Sequence, residues 1–170
     1  MPTPVILSLR CPGCGGLLHG TPQGVLFWCE DCGNLVEVVG DRFVPRPART
    51  AQPVQHGRGR LLYLPLWEFR VRVAWELPEQ TRKMGAQWKA PDRVYVTGFA
   101  VTNGSYFGDP GVIFTQKGVA LSPGDPAPMI GGTRGLDAAK TFVEPHLLGL
   151  LDRRVDVTGS DGRPGEVDLR

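Results

Sequence analysis

The chain of 170 residues can hold a small module plus one further domain of about a hundred residues, and its 41% hydrophobic content excludes a disordered polymer. Its 23 glycines and 16 prolines disfavour long helices, and no run approaches the roughly 18 apolar residues of a membrane-spanning helix. A net charge of +2 falls short of the excess that marks a dedicated nucleic-acid binder.

Met1 to Arg10 has no basic start followed by an apolar core and cleavage site, so a cytoplasmic chain with reduced cysteines is expected. Every cysteine then falls in one of two pairs, Cys11-Pro12-Gly13-Cys14 and Cys29-Glu30-Asp31-Cys32, fourteen residues apart. Each CxxC turn brings two sulfurs to one point. Cys11, Cys14, Cys29 and Cys32 together offer four soft anionic ligands at about 2.3 Å, which suits Zn²⁺ in a closed structural site. Gly15 and Gly33 follow the pairs, where such a turn needs a residue tolerant of positive φ. Disulfides would require an oxidising compartment, a redox-active CxxC would belong to a thioredoxin-like fold, and a rubredoxin-type iron site would have a longer, aromatic-rich insert. His19 reads as a solvated strand residue beside a turn.

Between the pairs, Leu17-Leu18-His19 and Val25-Leu26-Phe27-Trp28 predict a hairpin turning at Gly20 to Gly24, and Leu35 to Val39 predicts a third strand ending at Gly40-Asp41. Residues 11 to 39, with C-P-x-C-G-G and then C-x-x-C-G, resemble a zinc ribbon. The resemblance implies ligand roles for the four cysteines and a docking role for the module, but no reaction. So small a module cannot bury enough apolar surface to offset chain entropy, so its folding depends on the metal.

Pro45 to Arg60 is rich in Pro, Arg, Gln and Gly without apolar periodicity and reads as a linker or extended arm. From Asp41 to Arg93 there are 11 Lys/Arg against 5 Asp/Glu, a local basic excess. A β-rich domain then begins at Leu61. Tyr63-Leu64-Pro65-Leu66-Trp67 resembles a Y-x-P-[FL]-W segment of bacterial proteins that carry an N-terminal zinc ribbon. From Trp67 to Trp75 alternate residues are apolar, with Glu68, Arg70 and Arg72 between them, which predicts a strand with one buried and one solvated face. Further strands are expected at 93–102, 111–115 and 118–121, the last two as a hairpin. Leu136 to Asp152 predicts helix, broken by Pro145 into a short turn and a helix from about Pro145 to Leu151. Thr158 to Arg170 reads as a mobile tail or a short edge strand.

No catalytic constellation emerges. His19, His56 and His146 fall in no metal or base motif, Asn103-Gly104-Ser105 reads as a turn, and Asp109, Asp125 and Asp137 are scattered. Gly131 to Gly135 lacks the Lys-Ser/Thr of a phosphate loop and reads as a plain loop.

The sequence therefore predicts a mainly β protein: a zinc ribbon over 1–44, a linker over 45–60, a small β-rich (α+β) domain with one short helix over 61–157, and a polar tail over 158–170. The expected function is a non-enzymatic, zinc-stabilised adaptor with protein partners, whose ribbon edges can pair with another chain. The alternative is a nucleic-acid-associated protein that uses the basic 42–93 region.

Overall fold

The computed structural model describes residues 9–51, 62–75, 91–101, 109–118, 129–152 and 164–169. The chain divides into two compact units: Met1–Pro65, Gly98–Ala100 and Val119–Leu136 form the first, and Leu66–Thr97, Val101–Gly118 and Asp137–Arg170 the second. The fold class is mostly β, as the sequence indicates. Among the described residues no helix is long and apolar enough to cross a membrane.

The first unit carries an antiparallel sheet of order β1-β2-β3-β4, with β1 Leu18–His19, β2 Leu26–Cys29, β3 Leu35–Val39 and β4 Arg42–Arg46. Phe27 faces Val36 across the β2–β3 pair, and Val38 faces Phe43 across β3–β4. Among the described residues of this unit, Cys11, Leu18, Phe27, Cys29 and Val36 form a buried core cluster, with Val38 and Phe43 packed against it. The core is small and two of its members are cysteines, so the fate of the sheet is tied to the fate of the sulfurs.

β4 is not foreseen by the sequence reading, which ends the strands at Gly40-Asp41. Gly40, at φ 62°, makes a tight return into Arg42-Phe43-Val44-Pro45-Arg46. Pro45 lies within this edge strand, where a missing N–H is tolerated.

In the second unit, β5 (Leu66–Trp75) is central to a sheet of order β6-β5-β7, with β6 Arg93–Thr97 and β7 Pro164–Leu169. The alternation read over Trp67 to Trp75 is realised as far as Arg72: Phe69 is buried and Arg70 and Arg72 are exposed. β7 occupies one edge, in agreement with the edge-strand reading of the tail. Helix α3 (Val143–Asp152) packs on β6 and β7. Val143, Leu147 and Leu150 recur on one helical face and are buried, as are Phe69, Val94 and Val96.

The expected strand over 111–115 is corrected: Pro110–Lys117 is helix α1. Val112, Ile113 and Thr115 favour strands, but the caps decide. Asp109 Oδ1 accepts from Gly111 N–H at 2.7 Å, Pro110 supplies a helical φ at the start, and Gly118 ends the helix at φ 70°. Thr115 turns its hydroxyl inward, donating to Gly111 O at 2.8 Å and accepting from Tyr95 N–H at 2.9 Å. The hairpin's second strand, 118–121, lies almost wholly outside the described residues.

Helical content also exceeds one short helix. Leu136–Lys140 (α2) precedes α3, and Pro145 sits in the first turn of α3, where no intrahelical donor is lost. Asp109 has a second role, its Oδ2 lying 3.5 Å from Nε2 of the buried His146. Asp109→Ala is therefore expected to destabilise the second unit by about 1–2 kcal/mol, combining a lost N-cap with a lost imidazole contact. Urea unfolding followed by tryptophan fluorescence would register it as a lower midpoint at unchanged slope.

Candidate metal centre

The two cysteine pairs fold into matching turns. Gly15 N–H donates to Cys11 O and Gly33 N–H to Cys29 O, both at 2.9 Å. Each glycine has the positive φ expected of it, 78° at Gly15 and 69° at Gly33. A side chain at either position would strain the turn that aims its two sulfurs inward. The turns are anchored differently: Cys29 is the last residue of β2 and Cys11 lies just after the Arg10–Leu17 bridge. The sheet, through Leu18 opposite Cys29 on β1 and β2, brings them together.

The four sulfur atoms lie within 4.8 Å of one another. Cys11 Sγ and Cys32 Sγ are 3.6 Å apart, and Cys14 Sγ and Cys29 Sγ 3.5 Å. A tetrahedral ion with sulfurs at about 2.3 Å has edges of about 3.8 Å, so the spacing fits one metal ion with little adjustment. None of the four is in a disulfide. Cys11 and Cys29 are buried at 3% and 0% exposure, while Cys14 and Cys32 are exposed.

Electrostatics support the same conclusion. Burial raises the Cys11 thiol, but hydrogen bonds from Gly13 and Cys14 N–H and from the neighbouring sulfurs outweigh it and lower it to about 7. At Cys14 the Gly16 N–H lowers the pKa, yet the sulfurs of Cys29 and Cys32 together with burial push it up to about 12. Cys32 is lowered by the Asn34 N–H and raised, on balance, by burial and the sulfur of Cys29. Four thiolates cannot share this space at neutral pH without a cation, and a cation is what the donor set accommodates.

The raised groups hold protons near neutrality, so a metal must displace at least those of Cys14 and Cys32. Affinity should accordingly fall as pH falls, by about a hundredfold or more between pH 7 and pH 6 for two or more protons released. Competition with a chromophoric chelator at the two pH values measures this.

Among the described residues no histidine joins the sulfur cluster. His19 is exposed on β1, with its ring 5.3 Å from that of Trp28 and Nε2 3.4 Å from Glu30 Oε2. His146 belongs to the second unit beside Asp109, and His56 lies outside the described residues, as do Asn103 to Ser105 and Asp125. Asp137 pairs with Lys140 at 3.1 Å in α2.

Two features escape the sequence reading. Glu37, in the middle of β3, is 3% exposed and accepts from Arg46 Nε and Nη2 at 2.7 Å and from Leu136 N–H at 2.6 Å. A carboxylate within Leu-Val-Glu-Val-Val was the available signal. The second is the Gly131 to Gly135 loop, whose Gly132 O accepts from both Val25 and Leu26 N–H, at 2.7 and 2.9 Å.

The site is thus a four-cysteine cluster able to hold a metal ion, carried by ribbon-like turns on an antiparallel sheet. Comparison with protein-family models, with curated proteins and with solved structures returned no match.

Proposed function

We propose that this chain is a non-enzymatic, zinc-stabilised interaction protein that serves as an adaptor within a larger assembly. The observation that carries the reading is the closed donor set. Four thiolates fill a tetrahedral ion and leave no position for a substrate or an activated water, so the ion acts through the fold rather than through chemistry. Zinc is the ion this set suits, being content with tetrahedral thiolate coordination and redox-inert. A colourless protein would count against iron.

Docking falls to side chains rather than to the edges of the ribbon sheet. Leu9 O accepts from Leu18 N–H at 3.0 Å and so covers the β1 edge, while Pro45 interrupts the donors of β4. Elsewhere in the first unit Tyr63 bridges Met129 in parallel, and Leu64, Ile130 and Leu62 are the large apolar residues next to that bridge in sequence. These three are 50%, 42% and 44% exposed.

The basic 42–93 region offers less than its charge count suggests. Arg46 is bound to Glu37, Arg93 Nη1 lies 3.5 Å from Glu68 Oε1, and Arg72 stands opposite Asp168 in the β5–β7 register. Among the described residues, Arg46 and Arg93 are thus engaged by carboxylates, which favours the adaptor reading over phosphate binding.

The test is a pull-down with the tagged chain, with and without nuclease, repeated with Leu64→Asp. A defined set of proteins that survives nuclease and is lost in the variant supports the adaptor reading. Loss of the captured material on nuclease treatment, with steep salt dependence, would transfer the assignment to nucleic-acid binding.

A further inference from the structure

We propose that metal occupancy controls the order of a remote segment, residues 129–136 with Gly98–Ala100, through β2, β3 and the buried Glu37. These residues belong to the same compact unit as the cysteine cluster although they are far from it in sequence. The links are continuous. Cys29 ends β2, and Leu35 begins β3 just after the second cysteine turn, so a bound ion fixes the end of the β2–β3 pair where Trp28 faces Leu35. At the other end of the pair, Leu26 faces Glu37.

Both of those residues hold the remote segment. Val25 and Leu26 donate their N–H groups to Gly132 O, and Thr21 Oγ1 reaches Gly131 O at 3.4 Å. Glu37 Oε1 accepts from Leu136 N–H, a partner 99 positions away, while its Oε2 is fixed by Arg46 of β4. From the segment, Arg134 N–H donates to Gly98 O at 2.8 Å, Gly98 N–H to Pro65 O at 2.9 Å, and Ile130 N–H to Tyr63 O at 3.0 Å.

The segment has no helix or strand ladder of its own between Gly131 and Gly135, so its order is borrowed from β2 and β3. The fit is close. Gly132 has φ 83°, and a Cβ there would stand 2.9 Å from both the Cβ and the carbonyl oxygen of Leu26. If the sulfur cluster loses its ion, the β2–β3 pair loses the constraint that sets its register, and both anchors of the segment go with it.

Hydrogen–deuterium exchange read by mass spectrometry on the full chain tests this, comparing the zinc-loaded protein with protein stripped by chelator under reducing conditions. Metal content is measured on each sample. Stripping should accelerate exchange at Ile130, Arg134 and Leu136 by on the order of tenfold or more, with His146 in α3 unchanged. Gly132→Ala should keep one metal per chain yet exchange rapidly at Ile130 and Arg134, and stripping it should add little at those two amides while still releasing Leu136, which Glu37 holds separately. Equal protection of these amides with and without metal would overturn the proposal, as would loss of protection that extends equally to His146. A chain that binds no metal would overturn both this inference and the zinc reading, whereas a metal-loaded chain with an indifferent segment would overturn this inference alone.

Discussion

Cys29→Ser is expected to abolish metal binding and to unfold the four-stranded sheet of the first unit. Cys29 is fully buried at the end of β2, its N–H donating to Asn34 O and its carbonyl accepting from Gly33 N–H. Serine would keep those backbone bonds and nearly the same volume, so the loss would report the sulfur alone. A hydroxyl is a poor ligand for a soft site, and three thiolates with one buried hydroxyl hold zinc far less tightly. Metal binding contributes on the order of 10 kcal/mol to the folding of isolated zinc-finger peptides, more than a core of this size can replace. Circular dichroism and metal analysis would read both losses. Cys14→Ser supplies the control for mechanism. Cys14 is exposed, so it would be nearly harmless if the cysteines acted by burial, and as damaging as Cys29→Ser if they act as ligands.

Glu37→Ala is expected to cost about 3–5 kcal/mol, the range found when one member of a buried ion pair is removed. Three consequences combine. The Arg46 guanidinium, whose side chain is 25% exposed, loses its carboxylate; the Leu136 N–H loses its acceptor; and a space opens between β3 and the Gly135–Leu136 backbone. The metal should remain bound, because Glu37 faces Leu26 rather than the cysteine turns. Chemical denaturation of the zinc-loaded protein measures the cost, and an unchanged metal content separates it from ligand loss. Glu37→Gln should be milder, since its amide oxygen can still accept from Leu136 while its charge no longer balances Arg46.

The parts of the fold legible in the sequence are those fixed by neighbouring residues. The cysteine pairs with Gly15 and Gly33 specify their turns locally, and the structure shows both the cluster and the positive φ values. The alternation from Trp67 onward marks β5 because a half-buried strand imposes a period of two over its own length. Helix α1 departs from the sequence expectation because two local signals compete there. Val112-Ile113-Phe114-Thr115 favours extended structure, but Asp109-Pro110 and Gly118 close a helix around it, and Thr115 satisfies its hydroxyl on the helix backbone. β4 was hidden by its own composition, since Arg42, Pro45 and Arg46 look like linker residues until Val38 and Glu37 are seen to face Phe43 and Val44.

The contacts that could not be read are the distant ones. Nothing near Glu37 in the sequence announces that its acceptor capacity will be used by Leu136, or that Gly132 will close on the start of β2. A lone carboxylate in an apolar strand and a glycine pair in a loop each have many local explanations. Only the fold selects the one that applies, and it links the cysteine-bearing sheet to residues 98–100 and 129–136 in a single unit.

The most direct measurement is native mass spectrometry of the purified chain, with elemental analysis of the same sample. One zinc ion per chain and four reduced cysteines are expected, with loss of the ion in Cys29→Ser and Cys14→Ser alike. A folded chain that carries no metal, or whose four cysteines are joined in two disulfides, would contradict this expectation.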